Sequence, residues 1–480
     1  MTTSHGRTTA PLEPLAPKAA PPPFLRRPGV VLAVIVGCQL MIAVDTSVVT
    51  IALPRVRDGL GLSTGGLAWI QNSYMLAFGG LLLLGGRAGD VFGRRRAFTA
   101  GLVAFTAASL LAGLATAGWF LLAARAVQGA AGAVAAPSGM ALIATNFEGP
   151  ARVRALSVFS AVAGAGGAVG MVAGGVLTEA VSWRWVFFVN VPVGLVLALL
   201  APRALGETER RAGRFDVPGA AAAVTGMTSL VYALIRVGSD GWGDGLARAA
   251  FAAAAVLLTA FVAIEHRVGQ PLMPLWLFTA RARAGSYAIL ALVVASMFGS
   301  FFFLTQYLQQ QLGYGPLRAG FAFLPLVALQ FATVRTVPRL LPRLGARTIV
   351  VAGTLLIVVG LAGLSRLSAG DGYAAGVLVP FMLLGMGAGM VILPLNATIL
   401  GSVTAEHSGA ASGVAQAMLW SGGSFGSAVM VTVYGSAATE ADPMRGMDAA
   451  YATGAVFAVA ALVTALIVLP GRAAAARGTG

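Results

Sequence analysis

Residues 85–98 read Gly-Gly-Arg-Ala-Gly-Asp-Val-Phe-Gly-Arg-Arg-Arg-Ala-Phe and lie between two long apolar runs. Each run is long enough for a helix, since ~20 residues cross the hydrocarbon core of a bilayer. The charges between them predict a short polar turn joining two membrane helices. Clusters of Lys and Arg mark cytoplasmic loops, so we expect this turn, here called the hinge, to face the cytoplasm.

The composition of the whole chain agrees with this interpretation. Of its 480 residues 58% are hydrophobic and 10% are charged, whereas soluble domains are about one quarter charged. Inside lipid the backbone must satisfy its own hydrogen bonds, which favours helices. The sequence therefore predicts an all-α polytopic membrane protein.

Apolar runs of sufficient length recur along the chain. We predict fourteen spans, with twelve as the alternative. They lie near 30–51, 66–86, 97–117, 119–142, 155–178, 185–202, 217–237, 248–265, 284–308, 319–338, 348–366, 374–398, 409–433 and 451–470.

The net charge of +15 reflects orientation in the membrane rather than a nucleic-acid partner. With a cytoplasmic amino terminus, most of the 32 Lys and Arg residues fall in cytoplasmic loops, which is the bias that sets topology. We expect a multi-pass protein of the cell membrane with both termini in the cytoplasm. We expect cytoplasmic tails at residues 1–28 and 471–480. The first tail is rich in Pro and Ala and is expected to be disordered.

Cysteine and histidine give no sign of a metal site or a catalytic centre. Cys38 is the single cysteine, and His5, His266 and His407 are far apart in sequence. Metal sites and disulfide frameworks need recurring ligand spacings. We expect no metal, no cofactor and no enzymatic activity.

A weak internal repeat indicates two halves. Residues 338–347, Pro-Arg-Leu-Leu-Pro-Arg-Leu-Gly-Ala-Arg, align with 86–95 and place Pro342 where the first copy has Asp90. Paired bundles with parallel repeats are one way in which transporters are built. We predict an N-terminal six-helix bundle at 29–202, a linker with two additional helices at 203–283, and a C-terminal six-helix bundle at 284–470.

Asp45 is the acidic residue that falls well inside a predicted span. A carboxylate at bilayer depth costs about 2.5–3.5 kcal/mol on insertion scales, so it requires a function or a partner. One interpretation is that it takes up and releases a proton as access to water alternates. The alternative is an acid near the outer interface, in a polar patch with Thr46, Ser47 and Thr50.

Arg125 is the candidate counter-charge. At ~1.5 Å per residue, Asp45 lies ~22 Å above the inner start of the first span. Arg125 lies ~21 Å above the inner face of a ~30 Å core. We expect the two charges to share a level, either as an ion pair or separately solvated.

The hinge resembles the loop after the second helix of the major facilitator superfamily, which reads Gly-x-x-x-Asp-x-x-Gly-Arg-Lys/Arg. The resemblance implies a conformational latch at the cytoplasmic mouth. The matching residues are Gly86, Asp90, Gly93, Arg94 and Arg95. In this sequence Ala88 and Val91 depart from the usual pattern.

Four further segments resemble the fourteen-span drug:proton antiporters of this superfamily: residues 44–54, 125–129, 183–194 and 307–325. The resemblance implies the major facilitator fold, with two six-helix bundles and two inserted helices. Residues 125–129, Arg-Ala-Val-Gln-Gly, resemble a fourth-span motif that the family links to proton transfer. That role extends to Arg125, Gln128 and Gly129.

The fifth span departs from the family pattern Gly-Pro-x-x-Gly-Gly. The sequence has Gly170, Gly174 and Gly175, but Met171 replaces the proline. Proline bends a helix, so its loss is expected to straighten this span. The glycines are interpreted either as helix-bending, gating positions or as plain packing positions.

Pockets for lipophilic compounds are mostly apolar with a few polar anchors. Polar or aromatic residues within predicted spans are therefore candidates to line a substrate cavity, and they are Tyr74, Gln128, Gln306, Gln330, Asn396 and Gln416. No second embedded acid is evident, which favours neutral or singly cationic amphiphiles.

These observations together predict a proton-driven exporter of small amphipathic compounds, drugs, antibiotics or secondary metabolites, working by alternating access. One alternative is an uptake or facilitative carrier of the same superfamily for a small metabolite. A second, from another class, is a membrane receptor or scaffold without transport.

Overall fold

The computed structural model describes residues 27–208, 215–368, 370–439 and 442–471, and within these ranges the chain contains helices and no strand. The predicted tails at 1–28 and 471–480 fall almost entirely outside them. The α-helices are α1 Pro28–Leu60, α2 Thr64–Phe92, α3 Arg94–Gly113, α4 Gly118–Asn146, α5 Gly149–Ala180, α6 Trp185–Phe188, α7 Asn190–Ala204, α8 Val217–Asp240, α9 Gly245–Arg267, α10 Arg281–Gln306, α11 Pro316–Ala322, α12 Leu324–Leu364, α13 Leu378–Gly401, α14 Ser408–Ala437 and α15 Pro443–Val468. Short π-helical segments, Tyr307–Gln311 and Tyr373–Val377, extend α10 and precede α13.

The helix ends follow from residues at the turns. Ser63 caps α2 by accepting a hydrogen bond from Gly66 N at 3.2 Å, and Asp244 caps α9 by accepting from Ala247 N at 2.7 Å. Such side chains satisfy N–H groups that have no partner within the helix. Arg236 also donates to Asp244, at 2.6 Å, and this bond together with the capping bond lowers the pKa of Asp244 below its usual value.

Twelve helical segments among the described residues are long and apolar enough to cross a membrane. One of them, Pro316–Leu364, contains a backbone break at Gly345, where φ is 78° and ψ is 158°. The 30-residue helix α14 is not among the twelve. The predicted count of fourteen spans stays a prediction.

The chain passes back and forth between two sides. The hinge side carries residues 85–98 and the segments near 147, 205–208, 215–216, 268–280 and 345. The far side carries the turns near 62, 181, 241, 313 and 370. In the N-terminal half, α1–α7, the closest packing is between α2 and α4, α1 and α5, and α3 and α4. In the C-terminal half, α10–α15, α12 packs on α13, and α10 on α14 and α15.

Helices α8 and α9 lie between the halves in sequence and pack on each other. Of the two, α8 also contacts α2 and α14, one helix from each half. Asp216 caps α8 on the hinge side by accepting from Gly219 N at 2.8 Å.

The two halves meet closely on the far side. Gln309 Nε2 donates to the Ile51 carbonyl at 2.8 Å, and Leu317 N donates to Glu179 Oε2 at 2.8 Å. Both bonds join α1 or α5 to the segment that follows α10. On the hinge side, a cavity of about 750 Å³ lies between the inner ends of α2 and α4 and residues 406–413. Hydrogen bonds thus join α1 and α5 to the C-terminal half on the far side.

Candidate functional site

Asp45 is on α1, and its carboxylate is completely buried inside the N-terminal half. Arg125, on α4, is 2% exposed and donates from Nη1 to Asp45 Oδ2 at 2.5 Å. The two charges that helix geometry places at one level thus form an ion pair. Burying two charges is favourable only when hydrogen bonds satisfy their remaining polar atoms.

Neighbouring helices supply those hydrogen bonds. Asp45 Oδ1 accepts from Asn190 Nδ2 at 2.9 Å and from Gln128 Nε2 at 3.2 Å. The Gln128 amide also donates to Ser109 Oγ at 2.8 Å and accepts from Arg125 Nη1 at 3.1 Å. Residues of α1, α3, α4 and α7 therefore form one buried network, in which both oxygens of the carboxylate have partners.

Gly129 explains why α4 comes close enough to α2 to complete this arrangement. A Cβ atom at Gly129 would collide with the Tyr74 carbonyl oxygen of α2. Glycine is the residue type that allows such close approach of two backbones. The last residue of the Arg-Ala-Val-Gln-Gly motif thus has a packing role, one residue from Gln128.

Tyr74 extends the network toward the C-terminal half. The guanidinium carbon of Arg125 lies 4.3 Å from the centre of the Tyr74 ring, a cation–π contact. On its other side the Tyr74 ring is 6.2 Å from Trp420 of α14, and Trp420 lies 4.6 Å from Phe78 and 6.1 Å from Phe298. We call Tyr74, Phe78, Phe298 and Trp420 the aromatic cluster. It connects α2 of one half with α10 and α14 of the other.

The hinge residues contact one another and the end of α7. Arg94 Nη2 donates to Asp90 Oδ1 at 2.9 Å, so Asp90 is paired within the hinge and beside the N-terminus of α3. Arg95 and Arg96 each lie 3.5 Å from Glu207. The described ion pair of Asp90 stays within the hinge and does not reach the C-terminal half.

Gly93 is required in this turn by its conformation. Its φ is 97°, and a Cβ there would lie 2.6 Å from Glu207 Oε1. We expect Gly93→Ala to destabilise the purified protein by about 1–3 kcal/mol, the usual cost of such strained backbone. Thermal unfolding in detergent measures this change. The control is Gly149→Ala, which also has positive φ but open space around it; equal losses would contradict a role for the Glu207 contact.

The hinge-side cavity lies directly next to this turn. Its lining includes Arg87, Asp90 and Arg94 of the hinge, residues 269–272 of the linker, and Glu406 and His407 before α14. Arg87 also forms a hydrogen bond with Gln270. The residues that line the cavity carry both charge signs.

The polar candidates in the C-terminal half do not join the Asp45 network. Gln306 is 3% exposed and its amide nitrogen has no partner. Asn396 is half-buried and donates to Ile392 O of its own helix at 3.1 Å, Gln330 is half-buried, and Gln416 is exposed one turn before Trp420. Their role in a substrate cavity stays a prediction.

The glycines of α5 lie at contacts between helices. A Cβ would approach Val44 O at 2.7 Å from Gly170, Val48 O at 2.8 Å from Gly174, and Leu317 Cα at 2.7 Å from Gly175. The helix runs without interruption from Gly149 to Ala180, and the straightening expected from the absent proline stays a prediction. These contacts favour packing over bending, and Gly175 lies at the closure of the two halves.

Sequence reasoning missed Asn190 and Ser109. Asn190 lies within the segment 183–194, and its amide inside an apolar run is a usable signal of a buried polar contact. Ser109 has no such signal, because small hydroxyl residues are common in membrane helices and bond to their own backbone.

Comparisons with known proteins agree with the architecture. The Major Facilitator Superfamily sequence model matches residues 35–427. The chain is similar in structure to a peptide transporter solved in complex with sulfate, over 93% of this chain and 94% of that one (TM-score 0.66, 15% identity). It is also similar to a D-xylose-proton symporter, over 92% of this chain and 98% of that one (TM-score 0.64, 14% identity). At these identities the likeness shows the fold alone.

Curated relatives are closer in sequence. The chain is 41% identical to the puromycin resistance protein pur8 of Streptomyces alboniger, over 94% of this chain and 93% of that protein. It is 41% identical to the cephamycin export protein CmcT of Amycolatopsis lactamdurans, over 84% and 85%. The tetracenomycin C resistance and export protein of Streptomyces glaucescens is 35% identical, over 87% and 78%. The chain therefore belongs to the Major Facilitator Superfamily and is a multi-pass membrane transporter rather than an enzyme.

Proposed function

We propose that this transporter exports small amphipathic compounds, antibiotics among them, in exchange for protons. Relatives at 41% identity that are named for puromycin resistance and cephamycin export support the direction and the substrate class. The single observation that supports proton coupling is the buried ion pair of Asp45 and Arg125. A charged pair inside a membrane helix bundle is costly and marks a functional site.

The coupling works through competition for the Asp45 carboxylate. When a proton binds to an oxygen of Asp45, the carboxyl becomes neutral and Arg125 loses its ionic partner. The guanidinium then keeps only the Gln128 amide, the Ile70 carbonyl and the Tyr74 ring. When the proton leaves to water, the pair forms again.

The described state fits one step of this cycle. The ion pair is formed, hydrogen bonds join the halves on the far side, and a cavity lies between them on the hinge side. An exporter that has released its proton to the cytoplasm and awaits substrate requires this combination. When the transporter changes to the conformation that is open on the far side, Asp45 takes up a proton from that side. Substrate and proton therefore move in opposite directions.

The aromatic cluster provides a physical route between the site and the movement of the halves. Tyr74 touches Arg125 on one side and Trp420 of α14 on the other. A change in the position of the guanidinium thus acts on a helix of the opposite half. We propose that Asp90 and Arg94, paired within the hinge in this state, form the latch across the halves when the hinge side closes.

We also propose fourteen spans with both termini in the cytoplasm. The break at Gly345 divides Pro316–Leu364 into two parts, each long enough to cross a bilayer, and α14 is long enough and packs between α2 and α10. The arginines of the hinge and of residues 335–347 support a cytoplasmic hinge side. The extra pair α8 and α9 then lies between two six-helix halves, with the boundaries given above.

The neutral or singly cationic character of the substrate is also a proposal. Gln306, Gln330, Asn396 and Gln416 offer hydrogen bonds but no charge. Among the described residues the acid buried at the centre of the bundle, Asp45, is already paired. A dication would lack a second carboxylate in this region.

Everted membrane vesicles test export and coupling together. A pH gradient with an acidic vesicle interior is imposed, and the internal pH is followed with a fluorescent dye. Puromycin is added as the probe, because one relative is named for resistance to it. We expect puromycin to discharge the gradient only in vesicles that contain the protein. A gradient that is unaffected by puromycin and by other amphipathic antibiotics contradicts proton-coupled export.

Closure of the far side depends on Gly175. We expect Gly175→Ala to hinder closure, because its Cβ would lie 2.7 Å from Leu317 Cα and from Pro316 O. A cysteine at the buried Thr178, in a Cys38→Ser background, should then react several-fold faster with an impermeant maleimide from the far side. Gly167→Ala is the control, since its Cβ meets only Ser47 Oγ at 3.7 Å; unchanged labelling in Gly175→Ala would contradict the closure contact.

A further inference from the structure

Two acidic residues lie buried at the hinge-side ends of the inserted helices. Asp216, immediately before α8, and Glu265, in the last turn of α9, are each 4% exposed. Helices α8 and α9 pack on each other, so the two acids lie at the same end of this pair, and the Asp216 side chain is one of the groups that act on the Glu265 carboxyl. Carboxyl groups are almost never this deeply buried without a partner of opposite charge.

Each carboxyl has one oxygen satisfied and one oxygen without a partner. Asp216 Oδ1 accepts from Gly219 N at 2.8 Å, and Glu265 Oε2 accepts from Met273 N at 2.9 Å. Asp216 Oδ2 and Glu265 Oε1 are buried and accept no hydrogen bond. A buried acceptor left unpaired costs ~1–3 kcal/mol, more when charged. Two such oxygens on adjacent carboxyls leave a place for one positive species between them.

No cation occupies that place among the described residues, in which neither carboxyl forms an ion pair. Next to Glu265, His266 and Arg267 are exposed. Arg210, Arg211 and Arg214 lie outside the described residues. Charged or titratable groups of the hinge-side cavity are Arg87, Asp90, Arg94, Glu406 and His407, and Arg95 and Arg96 pair with Glu207 beside the same turn.

We propose that Asp216 and Glu265 form a proton-binding site, in which one proton is shared between Asp216 Oδ2 and Glu265 Oε1. One group is then a neutral carboxylic acid that donates to the carboxylate of the other, and the pair carries one negative charge instead of two. Two adjacent buried carboxylates do not both ionise readily, because each charge opposes the other. The site is separate from Asp45 and does not depend on the proposed transport cycle.

The shared proton holds three segments together. It joins the start of α8 to the end of α9. Through Met273 N it also reaches the segment after α9, of which residues 269–272 line the hinge-side cavity. Phe215, next to Asp216, stacks on Phe92 at the end of α2, 5.4 Å between ring centres. Loss of the proton at high pH leaves two like charges at this junction and loosens one wall of the cavity.

Infrared spectroscopy of the purified full-length protein tests this site directly. The carbonyl-stretch band of protonated carboxylic acids is followed during a titration from acid to alkaline pH, in the Asp45→Asn variant so that Asp45 does not contribute. We expect a band that persists at neutral pH and disappears at alkaline pH. Adding Glu265→Gln should remove it, and adding Glu148→Gln, an exposed acid on the hinge side, should leave it.

The result that overturns the proposal is a band unchanged by Glu265→Gln, or no such band at neutral pH in Asp45→Asn. If Glu265→Gln does not fold, Asp216→Asn replaces it, because asparagine also caps a helix N-terminus. Thermal unfolding gives a second measurement. The melting temperature of the parent should fall as pH rises through the loss of the band, and that of the Gln variant should not; parallel curves contradict the shared proton.

Discussion

Replacing Asp45 by Asn is expected to abolish proton-driven export while leaving the transporter able to exchange substrate. The Asn side chain keeps an oxygen that accepts from Asn190 and Gln128, so the local packing is retained. It cannot take up or release a proton, and therefore the step that drives net movement is lost. In everted vesicles, discharge of the pH gradient by puromycin should fall to the level of vesicles without the protein.

Exchange of labelled for unlabelled puromycin needs no net proton movement and should persist in this variant. That second measurement separates loss of coupling from loss of folding. The matched control is Asp58→Asn, an acid on the same helix that is exposed at the far side, with 61% of its side chain accessible. If Asp45→Asn discharges the gradient as well as the parent, Asp45 is not the coupling residue.

The ion pair itself was predictable because helix geometry is regular. A rise of ~1.5 Å per residue places Asp45 and Arg125 at one depth, and a lone acid at that depth indicates a partner. The sequence does not say which helices are neighbours, since apolar faces inside a membrane protein look alike from all sides. Asn190 on α7 was therefore missed, although it lies 2.9 Å from the carboxylate.

At the hinge, too, the sequence predicts the local turn but not its distant partners. Its arginines and glycines predict a charged turn, and the structure has a turn with Gly93 in a conformation that favours glycine. Glu207 binds Arg95 and Arg96 from more than a hundred residues away, and no local pattern indicates this. Asp216 and Glu265 look like ordinary acids at helix ends until packing brings them together and buries them.

Removal of Arg125 is expected to have the largest effect on stability. In Arg125→Met, Asp45 stays buried with only two amide donors, and breaking a buried pair in this way costs about 3–5 kcal/mol. The contact with the Tyr74 ring is lost as well. Unfolding in mixed micelles of increasing sodium dodecyl sulfate, followed by tryptophan fluorescence, measures the change in the free energy of unfolding.

The double variant Asp45→Asn with Arg125→Met separates the charge from the packing. Without the carboxylate there is no uncompensated negative charge, so most of the stability should return, even though transport does not. Each single variant leaves one charge buried alone, and the cycle of four proteins therefore gives the coupling energy of the pair. If the losses simply add, Arg125 acts through its contacts with Tyr74 and Ile70 rather than through Asp45, and proton uptake at Asp45 would not release it.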